Sequence, residues 1–74
     1  MEHTISVAQL NLLSDRERQV ANLICCGDSN KTVARKLAIS EGTVKQHAHA
    51  IYAKLGVRSR YELGRRFTPY FNSQ

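Results

Sequence analysis

Four of the six serines in this 74-residue chain each stand directly before a stretch with helical periodicity. Ser14, followed three residues on by Glu17, has the form of a capping box and opens a helix over about 15–26 that stops at Gly27. Ser29 opens a second over about 30–37, and Ala38-Ile39 make a tight turn. Ser40 opens a third over about 41–55, which Gly56 ends. Ser59 and Glu62 form a second capping box for a helix over about 60–67, with Pro69 expected to stop it. No stretch sustains the alternation of a half-buried strand, so the sequence predicts an all-α fold, a compact four-helix domain. Residues 13–67 make up that domain. Residues 1–12 read as a lead-in or linker, with Val7, Leu10 and Leu12 able to lie on the domain, and 68–74 as a C-terminal tail.

Charge narrows the partners. Eleven Lys and Arg stand against six Asp and Glu, a net of +5. The excess sits in the second half, where Lys45, Lys54, Arg58, Arg60, Arg65 and Arg66 face only Glu41 and Glu62. A polyanion should dock there. With 42% hydrophobic residues the chain is too apolar for a disordered one and close to an ordinary globular composition. No apolar run approaches the ~18 residues that span a bilayer, so no membrane partner is expected. Cys25 and Cys26 are adjacent and cannot pair with each other without heavy strain. They read as small helix-end hydrophobes from a reducing compartment, and the expected location is the cytoplasm.

The third helix carries most of the functional information. At roughly 100° per residue, Val44, Ala48, Ile51 and Leu55 fall on one narrow stripe that must face the core. Gly42, Lys45, Gln46, His49 and Ala53 lie opposite. A solvated face is the bland reading of such a surface. Yet small residues let a helix approach a groove closely, and Lys, Gln and His suit base edges and phosphates. A short helix joined to it by a turn of two or three residues makes the pair a helix-turn-helix.

Leu13-Ser14-Asp15-Arg16-Glu17-Arg18-Gln19-Val20, Gly27-Asp28-Ser29-Asn30-Lys31, Val33-Ala34 with Leu37, Ile39-Ser40-Glu41, Thr43-Val44-Lys45 with His47, Ile51, Lys54-Leu55-Gly56-Val57 and Arg60 with Glu62-Leu63 follow one another without gaps. Together they resemble the LuxR-type helix-turn-helix domain, also called GerE or NarL/FixJ, from residue 13 to about 63. The resemblance implies a bacterial, sequence-specific double-stranded DNA-binding transcription regulator whose third helix lies in the major groove. Carried over by position, Lys45, Gln46 and His49 would meet base edges. Asn30, Lys31, Thr43, His47, Lys54 and Arg58 would hold phosphates, and Glu17 would be an inward-facing structural acid. A homodimer on an inverted-repeat site is implied, with RNA polymerase as a further partner. Many such proteins carry a phospho-acceptor or ligand-sensing domain on the N-terminal side, for which 74 residues leave no room.

Three positions depart from the family pattern. Thr32 and Gln19 stand where relatives usually carry Glu. Gly64 stands where they usually carry an apolar residue of the helix that commonly forms the dimer contact. A mid-helix Gly costs roughly 1 kcal/mol relative to Ala. Together with Pro69 it predicts a dimer that is weak without DNA.

Other chemistries find little support. His47 and His49 are two residues apart, on different sides of a helix, whereas chelating pairs sit four apart, so no metal site is expected. There is no Gly-rich phosphate loop, no facing carboxylate pair and no nucleophile with an orienting base, so neither an enzyme nor a cofactor is expected. One alternative from another class stays open, a helical protein-interaction module that modulates another regulator. Such a module calls for a more apolar outward face than this one.

Overall fold

A computed structural model describes residues 7–71, with side chains from Gln9 onward. The expected packing of Val7 and the last three residues of the tail lie outside what it describes. Five helical segments follow in order: α1 (Val7–Leu10), α2 (Asp15–Cys25), α3 (Asn30–Leu37), α4 (Glu41–Leu55) and α5 (Arg60–Phe71). The four expected helices are α2 to α5. No strand occurs among the described residues.

Each of α2 to α5 starts where a serine side chain takes up an orphan amide. Ser14 Oγ accepts the Glu17 N–H at 3.1 Å, and Glu17 Oε1 accepts the Ser14 N–H at 2.9 Å, a complete capping box. Ser29 and Ser40 accept the amides of Thr32 and Thr43 at 3.1 and 3.0 Å. Ser59 accepts that of Glu62 at 3.1 Å. The expected second capping box is only half formed, because the Glu62 carboxylate passes Ser59 and accepts the Arg58 N–H at 2.8 Å. That backbone bond is the main reason the Glu62 carboxyl lies below its ordinary value.

Left-handed residues stop α3 and α4. Gly56 caps α4 at φ +70°, and Ala38 caps α3 at φ +58° although it carries a Cβ. The Ile39 N–H then bonds the Ala34 carbonyl at 3.0 Å and closes the turn between α3 and α4.

The core lies where α2 packs on α4 and α5 and where α3 packs on α4. Val20, Val33, Val44, Ile51, Leu55, Leu63 and Phe67 have no exposed surface. Each contributes about 1.5–3 kcal/mol by leaving water, and four of the helices share in that burial.

Three local expectations change. Pro69 does not end the last helix near Phe67; α5 runs on to Phe71. A proline there removes its own amide bond to the Arg65 carbonyl and crowds that carbonyl, a cost the packing beyond it offsets. Thr68 Oγ1 donates to the neighbouring Gly64 carbonyl, and Phe71 packs against the core one turn beyond the buried Phe67. Burial of that ring holds the turn which local propensity alone would lose, so residues 68–71 are helical. Residues 7–10 likewise form a helical turn rather than plain linker, with Leu10 packed on the core, but Leu12 is 57% exposed. Finally, Cys25 is half-buried, with its thiol pushed up chiefly by burial, while Cys26 is exposed rather than packed.

Candidate nucleic-acid interface

Helix α4 is fixed along its whole length by four side chains, one from nearly every turn. Val44 and Ile51 and Leu55 are fully buried, and Ala48 almost so. Their periodicity leaves Gly42, Lys45, Gln46, His49 and Ala53 exposed on the far side, as the stripe argument requires. Gly42 and Ala53 leave the ends of this face nearly bare. Between them, three side chains offer donors and acceptors to whatever the helix lies against. Lys45 and His49 are one turn apart and can reach into a single stretch of groove.

The residues expected on phosphates fall into two groups. Thr43, His47 and Lys54 share one flank of α4, within roughly 40° of each other around the axis. Thr43 and His47 are half-buried and Lys54 is exposed. The Lys54 ammonium, however, lies 2.7 Å from Glu17 Oε1 and ties the end of α4 to the start of α2. Glu17 is almost completely buried, and its carboxyl is held below the usual carboxylate value by Lys54 first and then by the Ser14 amide. Its reading as a structural acid fits this position.

The second group is divided between the start of α3 and the link after α4. Lys31 is exposed there, one residue inside the helix, and Asn30 is half-buried. Arg58 is exposed in the link between α4 and α5. Amides at a helix start carry partial positive charge, so a cation placed among them suits an anion.

Two features of this region escape sequence reasoning. At both helices of the motif the capping serine also donates its hydroxyl proton to a threonine three residues on. Ser29 Oγ lies 3.1 Å from Thr32 Oγ1, and Ser40 Oγ lies 2.9 Å from Thr43 Oγ1. The signal was present as Ser-x-x-Thr at 29–32 and again at 40–43. The second feature is Arg60, whose guanidinium reaches back to Asp28 and Asn30. No local spacing announces a contact between residues thirty positions apart.

An outward-facing α4, preceded by the short α3 and a tight turn, defines the class as a helix-turn-helix protein. The family description "Bacterial regulatory proteins, luxR family" (GerE) matches residues 11–67, and the chain belongs to that family of DNA-binding transcription regulators. It is 41% identical over 54 residues to the putative HTH-type transcriptional regulator YhjB of Escherichia coli, covering 73% of this chain and 27% of that protein. It is 47% identical over 49 residues to the probable transcriptional regulatory protein NarL of Mycobacterium tuberculosis, covering 66% and 23% respectively. Against the transcriptional regulatory protein DesR of Bacillus subtilis it is 38% identical over 55 residues, covering 74% and 28%. The chain thus spans about a quarter of the length of these relatives. Among the described residues, no helix is long and apolar enough to cross a membrane.

Proposed function

We propose that this chain binds double-stranded DNA sequence-specifically and regulates transcription, with α4 lying in the major groove. The observation that carries this reading is the division of α4 into a locked face and a bare one. Lys45, Gln46 and His49 read base edges from the bare face. Asn30, Lys31, Thr43, His47, Lys54 and Arg58 hold phosphates and set the register. Lys54 does so by exchanging its Glu17 partner for a phosphate oxygen. Two copies bind an inverted repeat, since operator symmetry mirrors protein symmetry, and they pair weakly without DNA.

Titration against random-sequence duplex at several salt concentrations, followed by selection from a duplex library, tests the proposal. Binding should weaken steeply with salt, because each neutralised phosphate releases a counterion, and selection should enrich a two-fold symmetric site. A salt slope near zero, or no enrichment, would overturn it and leave the protein-interaction module.

A further inference from the structure

Arg60 is the first residue of α5, yet its guanidinium works at the start of α3. Its Nη1 donates to Asn30 Oδ1 at 3.4 Å, and its Nη2 donates to the Asp28 carbonyl oxygen. Asp28 is held from its other side as well, since its carboxylate pairs with Lys36 Nζ at 2.8 Å. The link Gly27-Asp28-Ser29 into α3 is therefore fixed at both backbone and side chain.

The consequence for Asn30 follows from what a guanidinium is. It has five donors in a rigid plane and no acceptor, so only the oxygen of a carboxamide can face it. With that oxygen occupied, the Nδ2 group of Asn30 must point away from Arg60 and can offer only N–H donors. A phosphate oxygen needs donors and is repelled by a carbonyl.

We propose that Arg60 is a positioning residue for DNA binding, turning the Asn30 carboxamide so that its N–H2 group faces the DNA backbone. This rests on the DNA-binding reading given above. Arg60→Lys keeps the charge but puts its three rotatable donors on one nitrogen, without the rigid fork whose two nitrogens reach Asp28 and Asn30 separately.

A double-mutant cycle of Arg60→Met and Asn30→Ala, read as duplex affinity across a salt series with thermal melts alongside, tests it. Arg60→Met and Arg60→Lys should each lose roughly tenfold in affinity, the scale of one hydrogen bond to a charged group. The salt slope should not move, because Asn30 is neutral and releases no counterion. In the Asn30→Ala background, Arg60→Met should cost no further affinity. Asn30→Asp guards against a folding defect in the arginine variants. It keeps an acceptor for Arg60, so its melt should hold, while its DNA affinity falls further than that of Asn30→Ala. A slope lowered by about one unit would make Arg60 a phosphate contact itself. Equal losses from Arg60→Met in both backgrounds, or Asn30→Asp binding as well as wild type, would equally sink the positioning role. Absence of any DNA binding by the wild type overturns the functional reading and this inference with it.

Discussion

Glu17 and Lys54 meet at 2.7 Å through the same carboxylate oxygen that accepts the Ser14 amide. One oxygen thus closes the N-terminus of α2 and fastens the C-terminus of α4, 37 residues further along the chain. The carboxyl titrates below its ordinary 4.5 because both partners favour the charged form. A folded value below the unfolded one means the pair stabilises the fold above the ordinary value, and that this stability is lost as pH falls through the folded one. Thermal melts between about pH 6 and about pH 3 should therefore show an acid limb that is shallower in Glu17→Gln. Superimposable limbs would show that Glu17 contributes nothing to acid unfolding.

Leu55 closes the buried stripe of α4. Leu55→Ala should cost about 2–5 kcal/mol through lost burial and the cavity left behind, a large share of the ~5 kcal/mol a small domain holds. Urea unfolding measures it, and an unchanged midpoint contradicts the packing.

Ala38 adopts a left-handed conformation that costs a residue with a Cβ roughly 1 kcal/mol or more. Ala38→Gly should raise stability by about 1 kcal/mol, because glycine enters that region freely. A lower melting temperature in this variant means the turn gains nothing from a freer backbone.

Gly64 lies inside α5, and a Cβ built there meets nothing closer than Thr68 Oγ1 at 3.9 Å. Gly64→Ala is thus sterically free and should gain about 1 kcal/mol from helix propensity. Calorimetry would decide, with a destabilised variant pointing to a steric demand on that backbone.

Under the proposed function, Lys45 and Lys31 separate the two kinds of DNA contact. Lys45→Ala should weaken binding to the selected site by ~1–3 kcal/mol and random duplex less. Lys31→Ala should weaken both about equally and lower the salt slope by about one unit. Equal losses from both variants on every duplex would reduce Lys45 to another phosphate contact.

Much of this fold was legible because helix starts are local events. Ser14, Ser29, Ser40 and Ser59 each cap the helix the sequence assigns them, and Val44, Ala48, Ile51 and Leu55 point inward as their spacing requires. What resisted reading was whatever depends on residues far apart in sequence. Pro69 is a local stop signal, but Phe71 packs on a core made elsewhere and the helix continues. Lys54 has the charge for a phosphate, and no periodicity announces that Glu17 occupies it. The Arg60 bridge to Asn30 has the same character. The outward face of α4 was legible as a surface; the expectation that it meets DNA rested mainly on the resemblance.

The separation of the two faces of α4 bears on how such a protein can change. The four side chains buried in the core and the five exposed on the opposite side are disjoint sets; Lys54, exposed yet tied to Glu17, belongs to neither. A library randomised at Gly42, Lys45, Gln46, His49 and Ala53 therefore leaves Val44, Ala48, Ile51 and Leu55 untouched. Under the proposed function, target preference can drift across such a helix while the scaffold beneath it stays under its own, separate selection.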